Sequence, residues 1–157
     1  METARPAAEG DLEDLAVLWR HAVEELDGQR GGWALAGSLY RAHLEAFLRA
    51  SLDDPDQFLA VGLIDDVPVG VACLRADRDR REPLGWLELI YVEPNARQVG
   101  VADVMLTLVT ARCREWGMAG LDAPALPGNR SAKSFFETQG MQARLLTMHR
   151  PLEAEKE

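Results

Sequence analysis

At 157 residues, with 47% apolar and 27% charged residues, the chain has the make-up of a soluble globular protein with one sizeable core. No apolar run approaches the roughly 18 residues that span a bilayer, and the acidic opening METARPAAEGDLEDL lacks the apolar segment of a secretory signal, so a cytoplasmic location away from membranes is expected. The net charge of −9 argues against a nucleic-acid partner and is compatible with a cationic amine substrate, although solubility explains it as well.

Thr3–Ala7 reads as a first strand. Asp11 then caps a helical pattern with Leu15, Leu18, Trp19, Ala22 and Leu26 on one face. The run DGQRGG at Asp27–Gly32 breaks it. A second helix follows, with Leu35, Leu39, Ala42, Ala46, Phe47 and Ala50 at helical spacing, and ends at Asp53–Asp56. Phe58–Ile64 and Val67–Leu74 form a hairpin across Asp65–Asp66. After an Arg-rich loop at Ala76–Pro83 come a long strand, Leu84–Val92, and a helix, Gly100–Trp116. The helix buries Val101, Val104, Met105, Leu108 and Val109. Gly120–Ala123 is a short strand, and Asn129 caps a helix that runs through Gln139 to Gly140. Met141–His149 supplies one or two final strands. The order β-α-α-β-β-β-α-β-α-β predicts an α/β or α+β mixed sheet in one domain, residues 1–150, with a charged tail at 151–157.

Cys73 and Cys113 both sit in apolar patterns and read as buried thiols rather than a disulfide. His21, His43 and His149 show no metal-ligand spacing, so no metal is expected.

The chemistry concentrates in Leu87–Leu106, LELIYVEPNARQVGVADVML. Arg97, Gln98, Val99, Gly100, Val101 and Ala102 join a strand to a helix start. Small side chains and bare N–H groups there suit an anion such as a pyrophosphate. The loop alone is equally a plain turn with one exposed Arg. No Walker loop, GxGxxG run or GxSxG elbow is present. Glu88 is the carboxylate within the strand. Apolar neighbours Leu87, Leu89 and Ile90 suggest a raised pKa and a general base, whereas pairing with an Arg of the Ala76–Pro83 loop is the alternative. Glu93, beside Pro94, is a weaker candidate.

Residues 87–106 resemble the acyl-CoA-binding core of the GNAT superfamily of N-acyltransferases. Its signature is Arg or Gln, two residues, Gly, one residue, then Gly or Ala, met here by Arg97, Gly100 and Ala102. The LIYVEP strand, the opening ARPAAEGDLEDL, and Asn129, Ala132, Phe136–Glu137 and Gly140 extend the resemblance along the chain. The resemblance implies a splayed central strand pair and acetyl transfer from acetyl-CoA, as co-substrate, to a small-molecule or peptide amine. The transfer is direct, in a ternary complex. It assigns backbone contacts with pantetheine to Ile90, Tyr91 and Val92, a further contact to Asn129, and the pyrophosphate to Arg97–Ala102. A homodimer is compatible with it. Phe136 departs from the pattern. Many relatives place a tyrosine there as the acid for the leaving thiolate, so Phe136 is left to pack against pantetheine. A GNAT-like acyl-CoA-binding or sensor module with little turnover is therefore the alternative function.

The acceptor side is expected from the two early helices. Glu24, Glu25 and Asp27 could attract an amine, or simply form a solvated helix end. Trp33 could form an apolar wall, and Ser38, Tyr40 and His43 could face the same space.

Overall fold

The chain runs β1 (Glu2–Pro6), α1 (Leu12–Asp27), α2 (Gly32–Leu39), α3 (Leu44–Asp53), β2 (Gln57–Ile64), β3 (Val67–Asp77), β4 (Leu84–Val92), α4 (Val101–Glu115), β5 (Gly120–Asp122) and α5 (Arg130–Thr138), with short 3-10 turns at Glu9–Asp11 and Pro94–Ala96. The computed structural model describes residues 1–153, so residues 154–157 of the expected charged tail lie outside it.

The strands form one sheet in spatial order β1-β2-β3-β4-β5. The first four are antiparallel, and β5 joins β4 in parallel. The fold is thus the mixed α/β class expected. Asp65 and Asp66 both take positive φ, 47° and 66°, which closes a two-residue hairpin with the twist of its strands.

Helices cover both faces. On one face α1, α2 and α3 bury Leu15, Leu18, Trp19, Ala22, Leu39 and Leu48 against Leu59, Val61, Val71, Cys73 and Leu89. The Trp19 indole N–H donates to the Leu39 carbonyl at 2.8 Å, so the one polar atom of this large side chain is satisfied. On the other face α4 and Phe136 cover Phe58, Ala60, Ala72, Leu74, Leu87 and Val92. In α4, Val101, Met105, Leu106, Val109 and Cys113 are fully buried, while Val104 and Leu108 are only half-buried. Arg5 donates to both carboxylate oxygens of Asp11, at 2.7 and 2.9 Å, and so ties β1 to the start of α1.

Two expectations are corrected. The single second helix is two helices, broken at residues 40–43. Leu39 and Leu44 are both buried, and five helical steps would turn them roughly 140° apart. The break lets both face the sheet, and the Arg41 guanidinium donates to the Ser38 and Tyr40 carbonyls at the end of α2. The final strands at Met141–His149 do not form. The segment's neighbour in sequence order, β5, spans only three residues, too few to hold a ladder along it. Leu145, Leu146 and Met148 are left exposed, and the segment is held by Arg144 on Asp122, at 2.6 and 3.0 Å, and by His149 against the Trp33 ring.

The placement of α4 depends on paired glycines. Gly62 and Gly70 face each other across β2 and β3. A Cβ on Gly62 would lie 2.6 Å from the Val101 side chain and 2.9 Å from Met105 Sδ, and one on Gly70 would lie 2.8 Å from Met105 Cε. Bare backbone here lets the first turn of α4 sit down on the sheet. Gly62→Val is expected to destabilise the fold by about 1–3 kcal/mol through overpacking. Urea denaturation measures this, and an unchanged midpoint would contradict the close approach.

Candidate active site

β4 is the strand on which the site is built. It pairs with β3 along its whole length but with β5 only through Leu84, Gly85 and Trp86. From Leu87 to Val92 the edge toward β5 has no strand partner. The Glu93 N–H donates to the Val69 carbonyl, which fixes the side that faces β3. Successive residues turn their polar groups to opposite sides of a strand. Ile90 and Val92 therefore present N–H and C=O to the open edge, and Tyr91 turns its own toward β3. The Val92 carbonyl already accepts the Arg97 Nε–H at 2.8 Å.

Beyond β4 the chain makes a 3-10 turn at Pro94–Ala96 and enters α4 through Gln98 (φ 66°) and Gly100 (φ 101°). Gly100 suits this left-handed position because it has no side chain to strain. A Cβ built there meets nothing within 4 Å, so the space over the turn is open. The first-turn N–H groups of Val101, Ala102 and Asp103 have no intrahelical acceptor and point into that space. Val99 is half exposed beside them. Arg97 behaves otherwise than expected. Its guanidinium is turned onto Glu25 of α1 at 2.6 Å and lies over the Tyr91 ring. The Glu25 carboxylate raises the Arg97 pKa first, with burial acting against it. What the turn offers an anion is therefore its backbone N–H groups and the helix dipole, not the Arg97 guanidinium.

Glu88 occupies a bulge. Leu87 pairs with Leu74 and Leu89 with Cys73, which leaves Glu88 as the extra residue. The bulge turns the side chain to the face of α1–α3. There Arg75 Nε donates to Oε1 at 2.9 Å, Arg41 lies 3.8 Å from Oε2, and the Cys73 thiol is 3.8 Å away. The carboxylate is only 16% exposed. The expected apolar surroundings are corrected: two guanidinium groups flank it. Arg75 is on β3 itself, one residue before the loop named as a source of a partner. Arg41 is held by its two carbonyls and by the Phe47 ring, 4.5 Å from its carbon.

A second cluster lies at the end of β4. His21 Nδ1 is 2.5 Å from a Glu93 oxygen, and His21 and Glu25 stand one helical turn apart on α1. Glu93 is thus tied to α1 through His21. Tyr91 is buried beside them; burial, then Glu93 and Glu25, pushes its hydroxyl pKa up.

Asn129 is the N-cap of α5, its Oδ1 accepting the Ala132 N–H at 3.1 Å, and its amide reaches Gln29 in the α1–α2 turn at 3.4 Å. Phe136 is 9% exposed and belongs to the core under α4. Of the expected acceptor-side residues, Glu25 is engaged by Arg97. Trp33 and Tyr40 are exposed at 59% and 68%, and the Ser38 hydroxyl is spent on the Leu35 carbonyl. His43 precedes α3 as its N-cap and makes no side-chain cap there. His21, Gln29, Arg41 and Arg75 were not legible as site residues. Their only sequence signal is His21 and Glu25 at helical spacing.

Cys73 lies against Glu88 but is no nucleophile. Burial, reinforced by the neighbouring carboxylate, pushes its thiol far above the ordinary range. Among the described residues no helix is long and apolar enough to cross a membrane.

Residues 18–141 match the acetyltransferase (GNAT) family, and the chain belongs to that family. Solved structures of similar fold include AAC(6')-Iy in complex with the bisubstrate analog CoA-S-monomethyl-acetylneamine. It is 19% identical over 97% of this chain and 99% of that one, with a TM-score of 0.73. The aminoglycoside 6'-N-acetyltransferase AAC(6')-Ih from Acinetobacter baumannii is 13% identical over 98% and 100%, with a TM-score of 0.73. A transcriptional regulator from Bacillus halodurans C-125 is 20% identical over 96% and 100%, with a TM-score of 0.70. No curated protein matches by sequence. At these identities the likeness is one of fold.

The state of Cys73 is directly checkable. In the folded protein at pH 8, iodoacetamide should leave Cys73 unmodified, and full alkylation should need denaturant. Rapid labelling of Cys73 in the native state, read by mass spectrometry, would contradict the buried, carboxylate-flanked thiol.

Proposed function

We propose that this chain is an N-acetyltransferase that moves an acetyl group from acetyl-CoA to a primary amine by direct attack in a ternary complex. The observation that supports this best is the unpartnered β4 edge at Ile90 and Val92, which ends at an open, N–H-lined helix start. An extended amide-bearing chain can pair with such an edge as an added strand. A pyrophosphate suits the N–H groups of Val101, Ala102 and Asp103, with Gln98, Val99 and Gly100 shaping the approach. Asn129 stands on the far side of the opening, beyond β5. Arg97 supports the loop through Val92 and Glu25.

Acetyl-CoA supplies an activated thioester. The N–H groups of Ile90 and Val92 are the donors available to its carbonyl oxygen, where charge develops as the amine attacks. A lysine-like amine of pKa near 10.4 is neutral in only about one molecule in 2,500 at pH 7, a cost of roughly 4.6 kcal/mol. Glu88 is the proposed acceptor of the amine's proton, directly or through a water, with Arg75 hydrogen-bonded to one oxygen and Arg41 3.8 Å from the other. The amine nitrogen bonds to the acyl carbon, the carbon–sulfur bond breaks, and the CoA thiolate leaves. A thiol pKa near 8.5 lets that thiolate depart and take a proton from water without a hydroxyl at Phe136.

The buried Phe136 also favours a second reading, an acyl-CoA-binding module with little turnover. Thiol release from acetyl-CoA across a panel of amines separates the two. Turnover with at least one amine is expected, and CoA binding without release would overturn the enzymatic reading. Glu88→Gln should lower kcat about 10²–10⁴-fold with CoA affinity unchanged. An unaltered rate would remove Glu88 from the chemistry.

A further inference from the structure

Two departures from regular structure meet at one carboxylate. β4 carries its extra residue at Glu88, where the register with β3 shifts between Cys73 and Leu74. The helical run after α1 breaks between α2 and α3, at residues 40–43. The break sets Arg41 over the Phe47 ring, and the bulge turns Glu88 toward that guanidinium. Bulges next to active sites often re-aim a single side chain in this way.

The two oxygens of Glu88 are not equivalent. Oε1 accepts the Arg75 Nε–H at 2.9 Å, a charge-assisted bond of ordinary length. Oε2 has no partner of that kind. Its neighbours are the Arg41 guanidinium and the Cys73 thiol, each 3.8 Å away. At that distance Arg41 supplies charge but no hydrogen bond. Its Nη1 is turned to the Ser38 and Tyr40 carbonyls instead, at 2.6 and 3.1 Å. The thiol is a weak donor. Oε2 thus keeps its lone pairs for another donor.

Proton chemistry separates the oxygens further. A carboxyl group protonated on one oxygen still accepts on the other. With the proton on Oε2, Oε1 goes on accepting from Arg75 and the side chain need not move. With the proton on Oε1, an O–H would face the Arg75 N–H, donor against donor. Charge bears on the role as well. Two guanidinium groups stand beside one carboxylate, so Glu88 is already compensated and does not serve to attract an ammonium ion. What it offers an amine is a lone pair at a fixed position.

We propose that Arg75 is a positioning residue for the transfer: it locks Oε1 of Glu88 and leaves Oε2 as the atom that takes the amine's proton. The proposal rests on the acetyltransferase reading and on Glu88 as the proton acceptor. As the nitrogen bonds to the acyl carbon, the electrons of its N–H bond stay on nitrogen and the proton passes to Oε2. The neutral carboxyl group afterwards releases that proton to water. Arg75 stays bonded to Oε1 throughout and touches neither substrate.

The test is a double-mutant cycle on the full chain, with acetyl-CoA and an amine that the unmodified chain acetylates. Arg75→Ala is expected to lower kcat about 10²-fold, with KM for acetyl-CoA and for the amine unchanged. Arg75→Lys, which keeps a charged donor, should recover part of that loss. In Glu88→Gln protein, Arg75→Ala should cost no further rate, because the group it positions no longer takes a proton. An undiminished kcat in Arg75→Ala, or a loss as large in the Glu88→Gln background as in the unmodified one, overturns the proposal. A second measurement needs neither turnover nor a folded Arg75→Ala protein. The ¹⁵Nε signal of Arg75 in the ligand-free chain is expected to move on Glu88→Gln, and an unmoved signal overturns the proposal. Failure of the parent reading looks different. If no amine is acetylated, or Glu88→Gln turns over undiminished, the catalytic role falls with that reading, while a moved Arg75 signal still shows the pair to be formed.

Discussion

The structure depends on the early parting of β4 from β5. Three residue pairs join them, Leu84 to Trp86 with Gly120 to Asp122. After that β4 continues for six residues, held by β3 alone. Backbone N–H and C=O groups that leave the sheet must find other partners. Here one carbonyl, Val92, takes Arg97, and the rest of that edge stays open. An edge strand is ordinarily a liability for aggregation. This one runs between the two helical layers, where a bound chain can satisfy it. The open edge thus arises from a missing stretch of strand pairing rather than from a hole in a packed core.

The end of α1 spans that gap. Glu25 reaches Arg97 after β4, and Gln29, just past the helix, reaches Asn129 after β5. Glu24, Glu25 and Asp27 crowd the C-terminal end of α1, where acidic groups oppose the helix dipole. Arg97 offsets that repulsion for Glu25. The charge that the loop spends on α1 is then not available to an anion, which leaves the backbone N–H groups at the start of α4 as the donors there. Glu88 shows the same economy of charge: Arg75 and Arg41 compensate a half-enclosed carboxylate that would otherwise be costly to bury.

How far the sequence predicted this arrangement follows from the range of each interaction. Leu84–Val92 was legible residue for residue, because a run of apolar residues bounded by turn signals is a local pattern. The α4 turn was legible for the same reason: Arg97, Gly100 and Ala102 stand within six positions. The Asn129 cap was also correctly placed. The bulge at Glu88 was invisible, since it depends on the register with Cys73 and Leu74. So were the partners of Arg97 and Asn129, which lie 72 and 100 positions away. The break after Leu39 was hidden because Leu35, Leu39, Ala42 and Ala46 imitate one helix. Met141–His149 has strand-like composition, but composition does not fix which strand it would pair with, and the segment joins none.

The central claim is that an acyl-CoA chain completes the sheet along β4. Residue-resolved amide hydrogen exchange, with and without acetyl-CoA, tests it most directly. The account predicts that the Ile90 and Val92 amides exchange more slowly when acetyl-CoA is bound, while the Tyr91 amide, already turned to β3, changes little. Saturating acetyl-CoA binding that leaves Ile90 and Val92 unprotected would contradict it.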